Sequence, residues 1–321
     1  VGLKKPDIMN NPAYSLTMRD RLAELAPYVG NTPLYPIKKL FPSQKVKLFA
    51  KVEWQQFGGS VKARPAYRIL RKAVENGSLD GGKAILDATS GNTGIAYAIF
   101  CAVAGIPLTL CIPENASKER KHILRSLGAK LEFTSPFEGT DGAQERAREL
   151  ALNKPHLYHY TDQYSNDNNW LAHYHTTAPE IWEQTGGKIT HFVAGLGTTG
   201  TFTGTGSRLI EYNSGIELIA LQPESAMHGL EGWKHLETAR TPAIFNASLP
   251  DRVELVDSSA SYEIIRDAAK YEGLFLSPSA AANLLGAIKV AEKLDEGTVV
   301  TVFADNADKY GDVMQEIFSN N

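Results

Sequence analysis

His191-Phe192-Val193-Ala194-Gly195-Leu196-Gly197-Thr198-Thr199-Gly200-Thr201-Phe202-Thr203 runs from an apolar, strand-like segment through a glycine-rich turn into a helical pattern. In such a strand–loop–helix unit the helix N-terminus points its free N–H groups at whatever the loop encloses. Gly195, Gly197 and Gly200 match G-x-G-x-x-G letter for letter, and Glu224 lies at about the distance where a dinucleotide site would place an acid. Thr198, Thr199, Thr201 and Thr203 crowd the same loop with hydroxyls. These suit a terminal phosphate monoester, whereas a pyrophosphate bridge wants less side-chain bulk. On this loop alone a nucleotide, a phosphorylated cofactor and a structural turn all stay open.

On either side of this stretch, from about Lys45 onward, short β-rich runs alternate with helical patterns. That alternation is the signature of an α/β fold with twisted, mostly parallel sheets flanked by helices. Strands are expected at 46–52, 83–88, 108–112, 130–133, 191–194, 217–221 and 299–303. A helix is expected after Ser60, because Ala66, Ile69, Leu70, Ala73 and Val74 share one face, Pro65 sits in the first turn and Asn76-Gly77 ends it. The chain has 321 residues, more than a typical single domain, so two are expected. The polar segment 163–169 suggests a crossing near residue 165. The expected division is a smaller, mobile substrate-carboxylate domain over 46–165 and a larger cofactor-phosphate domain over 1–45 and 166–321.

Composition removes several function classes. The formal net charge is −3 and the basic residues are scattered among acids, so no patch suited to nucleic acid is present. The uncharged stretch 95–113 reaches the length of a membrane span, but Gly105 and Pro107 break it into a buried helix and a short strand. Cys101 and Cys111 both fall inside it and read as small buried hydrophobes, with no metal site or disulfide expected. The opening residues, with Lys4, Lys5 and Asp7 and no apolar core, do not read as a secretory leader, so a cytoplasmic location is expected.

Two further motifs carry chemistry. Gly58-Gly59-Ser60-Val61-Lys62 sets a lysine at the head of a helix, where desolvation and the positive end of the dipole both disfavour its charged form. A surface lysine in a first helical turn is the plain alternative. Thr89-Ser90-Gly91-Asn92-Thr93-Gly94 again joins strand to helix and offers hydroxyls, an amide and N–H groups, a cradle for a carboxylate or simply a helix cap.

With these motifs in this order the chain resembles the fold-type II pyridoxal-phosphate enzymes, in particular the cysteine synthase family and its O-acetylserine sulfhydrylase B type. The resemblance runs through Gly30-Asn31-Thr32-Pro33-Leu34, Gly59-Ser60-Val61-Lys62, the 89–94 and 197–201 loops, Pro179-Glu180-Ile181-Trp182 and Ile244-Phe245-Asn246-Ala247-Ser248. It implies pyridoxal 5′-phosphate as cofactor and Lys62 as its covalent anchor and as catalytic base. It implies that Gly197, Thr198, Thr199, Gly200 and Thr201 hold the phosphate, Asn92 the ring hydroxyl and Ser277 the pyridine nitrogen. Thr89, Ser90, Gly91, Asn92 and Thr93 would bind the substrate carboxylate. Pro278-Ser279 stands where many relatives have Ser-Gly, so Ser279 is the substitute for Ser277; Ala63 takes the place of a usual aspartate after the lysine. The implied reaction is β-replacement of O-acetylserine by sulfide, in a homodimer without nucleic-acid or membrane partners. O-phosphoserine sulfhydrylase and cystathionine β-synthase share the motifs, and Lys234 and Arg240 are the cations that an O-phosphoserine donor would use. A nicotinamide dehydrogenase and a catalytically silent binding protein are the more distant alternatives.

Overall fold

The computed structural model describes residues 16–89 and 91–319. Ser90 and the opening residues on which the leader reading rests lie outside the described residues. The strands are β1 (Leu34–Ile37), β2 (Val46–Val52), β3 (Ala84–Ala88), β4 (Leu108–Pro113), β5 (Lys130–Thr134), β6 (Tyr158–Tyr160), β7 (His191–Gly195), β8 (Glu217–Pro223), β9 (Arg252–Val256) and β10 (Gly297–Phe303). All the expected strands are among them. The others, β1, β6 and β9, are edge strands: β1 contains Pro36, which a central strand could not tolerate, and β6 is only three residues long. The helices are α1 (Met18–Glu24), α2 (Ala63–Glu75), α3 (Asn92–Ala104), α4 (Lys118–Ser126), α5 (Gly139–Asn153), α6 (Asp167–His175), α7 (Thr177–Gln184), α8 (Gly200–Tyr212), α9 (Ser258–Asp267), α10 (Pro278–Ala291) and α11 (Gly311–Ser319).

Two sheets form. The larger has the order β1-β2-β10-β7-β8-β9, parallel except for the β1–β2 pair, and the smaller has β5-β4-β3-β6, parallel throughout. Central strands are apolar on both faces because helices cover both: in β10 Val299, Val300, Val302 and Phe303 are buried. One core cluster joins Val299 and Phe303 to α10, and another joins Val300 and Val302 to Phe202 of α8 and Ile181 of α7. The smaller sheet buries Ile85 and Leu110 against Ile69 and Leu70 of α2 and Phe100 of α3, and Leu86 and Cys111 against Ala143 and Ala147 of α5. The break at Gly105 is real: α3 ends there with the glycine in the left-handed region (φ 71°). Among the described residues no helix is long and apolar enough to cross a membrane. Cys101 and Cys111 are buried free thiols, and no metal-holding cluster occurs among the described residues.

The expected boundary at residue 46 is displaced by the pairing of β2. That strand, assigned from sequence to the smaller unit, lies inside the larger sheet between β1 and β10, in register from Val46 with Gly297 to Val52 with Phe303. Hydrogen bonds between strands distant in sequence decided this, and nothing local to 46–52 signals them.

Candidate active site

Parallel strands deliver their following loops to one edge, and here two such edges face each other. The 89–94 loop leaves the end of β3, the loop at 195–200 leaves the end of β7, and Lys62 stands just before α2. Between them lies a cleft with two adjoining halves. The inner half, about 570 Å³, is lined by Lys62, Asn92, Thr198, Thr199, Thr201 and Asp305 among others. The outer half, about 690 Å³, shares Lys62 and Asn92 and adds Thr89, Gly91, Thr93 and Arg120.

Lys62 is the N-cap residue of α2, and its side chain makes no capping hydrogen bond. Burial pulls its amine below the ordinary lysine range, with the nearby Asp305 carboxylate opposing the shift. Two of the quoted motifs, 30–34 and 179–182, meet Arg64 of α2 in a buried charge network. The Arg64 guanidinium donates to Glu53 at 2.7 and 2.8 Å and to Glu180 at 2.6 and 2.8 Å. Lys51 pairs with Glu180 at 2.6 Å, and the Asn31 N–H donates to Glu180 at 3.0 Å. Burial works to raise the Glu180 carboxyl, but Arg64 and Lys51 outweigh it and hold it near pKa 2. Ala63 is fully buried, and a Cβ at Gly58 would lie 3.2 Å from its methyl. The position taken by aspartate in related motifs is thus packed with a methyl, and the adjacent Arg64 draws its partners from Glu53 and Glu180.

The 197–201 loop is held rigidly. A Cβ on Gly197 would stand 1.9 Å from the Gly232 carbonyl oxygen, and one on Gly200 would stand 2.0 Å from Asn169 Oδ1. Thr199 sits in the left-handed region at φ 69° as the N-cap of α8, a conformation that a β-branched residue adopts only under constraint. Its hydroxyl is buried and has no hydrogen-bond partner. The Thr201 hydroxyl lies 3.3 Å from His173 Nε2, whose other ring nitrogen is 2.9 Å from Thr177 Oγ1. Burial keeps His173 well below its usual pKa, so the ring is neutral. A helix start with an unpartnered buried hydroxyl and cleft-lining Thr198 and Thr201 fits a phosphate monoester.

The 89–94 loop is satisfied from within. Thr89 Oγ1 accepts from the N–H groups of Gly91 at 3.1 Å and Gly94 at 3.3 Å. Thr93 donates to Gln163 Oε1 at 2.7 Å, and Gln163 in turn donates to the Ala88 carbonyl at 2.8 Å. Asn92 donates to Asp305 Oδ2 at 2.8 Å and accepts from Lys309 at 3.1 Å.

Two serines open α10, Ser277 as its N-cap and Ser279 in its first turn, with their hydroxyl oxygens 3.3 Å apart. Ser277 is fully buried, caps α10 by accepting from the Ala280 N–H at 3.2 Å, and does not line the cleft. Ser279 lines the inner half one helical turn before Asn283, which accepts from the Gly195 N–H at 2.8 Å. Lys234 lines the outer half and pairs with Asp141 at 3.2 Å; Arg240 lines a separate surface pocket with Gln144 and Arg148. Glu224, the acid of the dinucleotide reading, does not line the cleft.

Several cleft residues escaped the sequence reading: Arg120, Gln163, Glu231, Asp305 and Tyr310. Asp305 is buried, accepts from Asn92 and Tyr310, each at 2.8 Å, and leaves Oδ1 without a partner. It could have been found, since it follows the end of an apolar parallel strand, where sites in such sheets collect. Arg120 and Glu231 carry no local signal, because an isolated Arg or Glu is ordinarily a surface charge.

A family model described as pyridoxal-phosphate dependent enzyme matches residues 25–305. The chain is 46% identical over 289 residues to a cysteine synthase of Aquifex aeolicus, covering 88% of each chain. It is 37% identical to cysteine synthase B of Escherichia coli, covering 90% of this chain and 94% of that one. The crystal structure of a cysteine synthase from Entamoeba histolytica superposes with a TM-score of 0.85 at 28% identity, over 99% of this chain and 93% of that one.

Proposed function

The chain belongs to the pyridoxal-phosphate-dependent enzymes, and from that membership we propose that it makes cysteine by β-replacement, exchanging the acetate of O-acetylserine for sulfide. The observation that carries this reading is the meeting of Lys62 and both strand-to-helix loops in one cleft. The relatives named cysteine synthase support it.

When bound, pyridoxal phosphate supplies a conjugated electron sink for the substrate's α-carbon. Lys62 anchors it covalently. With its amine free, Lys62 Nζ would take the α-proton as acetate leaves the β-carbon and would return a proton after sulfide has added there. The lowered pKa of Lys62 favours the free amine that both tasks need. Thr198, Thr199, Gly200 and Thr201 receive the phosphate, with Gly197 allowing the close approach of the Gly232 backbone. Asn92 would meet the ring hydroxyl, and Thr89, Ser90, Gly91, Asn92 and Thr93 would bind the substrate carboxylate. Ser279, which lines the inner half, would offer its hydroxyl to the pyridine nitrogen; Ser277, whose Oγ lies 3.3 Å from Ser279 Oγ and accepts the α10 cap bond with its own proton still free to donate, is the alternative donor. A neutral hydroxyl leaves that nitrogen uncharged and favours expulsion of the β-substituent over transamination.

The smaller sheet and its helices form the mobile unit in this reading, with β2 kept in the larger body. Two ion pairs span the cleft mouth between them, Arg120 with Glu231 and Lys234 with Asp141. A cytoplasmic homodimer is proposed on the family resemblance. The test is direct: purified protein should show the visible absorbance of the bound cofactor, borohydride should fix the cofactor on Lys62, and O-acetylserine with sulfide should yield cysteine. A colourless protein that makes no cysteine when the cofactor is supplied would end this reading.

A further inference from the structure

We propose that Glu231 is the residue that restricts the β-substituent of the donor to an uncharged group. This rests on the reading of the cleft as a β-replacement site. The outer half, lined by Lys62, Thr89, Gly91, Asn92 and Thr93, is the room open to a substituent on the β-carbon of an amino acid bound there, and its wall also carries Arg120, Glu231, Lys234 and Tyr310. Arg120 belongs to α4, beside the smaller sheet. Its guanidinium carbon would lie 3.5 Å from a Cβ on Gly91, and it rests over the Tyr310 ring at 4.9 Å, so it is built into the carboxylate loop's surroundings. Only 5% of its side chain is exposed. A cation this deeply enclosed at the substituent's end of the cleft would by itself attract an anionic leaving group, such as a phosphoryl ester.

Glu231 cancels that attraction. Its carboxylate pairs directly with Arg120 Nη1 from the opposite side of the cleft, and it lines both halves. Lys234 is matched in the same way by Asp141. Each of these two wall cations therefore has a carboxylate of its own. A phosphoryl group entering here must displace Glu231 from Arg120 or stand beside its like charge, and an acetyl ester need do neither. Specificity of this kind comes from the repulsive element as much as from the attractive one.

The test compares O-acetyl-L-serine with O-phospho-L-serine in the holoenzyme and in Glu231→Gln, which keeps the side chain's shape and an acceptor for Arg120. The parent should prefer the acetyl ester in kcat/KM with sulfide, and Glu231→Gln should move the ratio toward the phosphoryl ester by about tenfold or more. Calorimetric binding of O-phospho-L-serine should tighten in the variant by a similar factor, and the double variant Arg120→Met, Glu231→Gln should lose that gain. A parent that turns over neither donor would overturn the β-replacement reading, and the binding measurement would still decide the role of Glu231. An unchanged donor ratio together with unchanged phosphoserine affinity would overturn the role of Glu231 and leave the reaction intact. So would a parent that already prefers the phosphoryl ester.

Discussion

The 89–94 and 197–201 loops are built on the same plan: a parallel strand, a short run rich in glycine and threonine, and a helix start. They differ in where their hydroxyls go. Thr89 and Thr93 are bonded within the protein, to the Gly91 and Gly94 N–H groups and to Gln163. Thr199 holds its hydroxyl buried and unpartnered, on a residue constrained at φ 69°. A loop that meets a transient substrate can satisfy itself between encounters, whereas one that holds a resident phosphate can leave donors aimed at it. The contrast is the one expected between an exchanging site and a permanent one.

The largest effect is expected where both loops converge. Lys62→Ala removes the anchor and the base together and should lower kcat/KM by at least about a thousandfold. Borohydride should then fix no cofactor at that position; near-normal turnover would break the assignment of the cleft. Glycine substitutions should next separate the loops. Gly197→Ala drives a methyl to within 1.9 Å of a backbone oxygen and should cost about 2–3 kcal/mol, read as a lower Tm and weaker cofactor binding. Gly91→Ala meets only the Arg120 guanidinium at 3.5 Å and should stay within about 0.5 kcal/mol. Equal losses in the two variants would mean that the loops are equally rigid.

Thr199→Gly sharpens the same comparison with opposite signs. The apoprotein should unfold at no lower denaturant concentration than the parent, because glycine relieves the left-handed strain. Cofactor affinity should fall about fivefold, near 1 kcal/mol, for the lost hydroxyl. Apoprotein destabilised with cofactor binding unaltered would show that the hydroxyl serves the fold and not the phosphate. A modest effect, confined to the substrate side, is expected from Thr93→Val. It strands Gln163 Oε1 and should cost about 1 kcal/mol of stability, raising the donor KM roughly threefold while the cofactor Kd holds. A shift in cofactor Kd larger than the shift in KM would place Thr93 with the permanent site.

Much of this architecture was legible before any coordinates. Apolar runs such as Val299-Val300-Thr301-Val302-Phe303 had to be strands covered on both sides, and glycine at 105 had to end a helix. Lys62 at the head of α2 followed from the periodicity of Ala66, Ile69, Leu70 and Ala73. Of the edge strands β5 was legible, but β1, β6 and β9 were not, because β1 and β9 are half-exposed and carry proline or charge and β6 is only three residues long.

Local chemistry along the chain therefore dictated the secondary structure, the two anion-ready loops and the lysine between them, since capping, periodicity and glycine conformation act over a few residues. Partners that meet only on folding were decided by tertiary structure. The pairing of β2 with β10 put residues 46–52 in the larger sheet, and the start of α10 set Ser279 in the lining of the inner half with Ser277 as the helix cap beside it. Arg120 and Glu231 lie 111 positions apart and become an ion pair only because α4 and the 230–234 segment close on opposite sides of one cleft. Charge that is solvated in an unfolded chain acquires a specific meaning only when burial lowers its dielectric surroundings and fixes its neighbour.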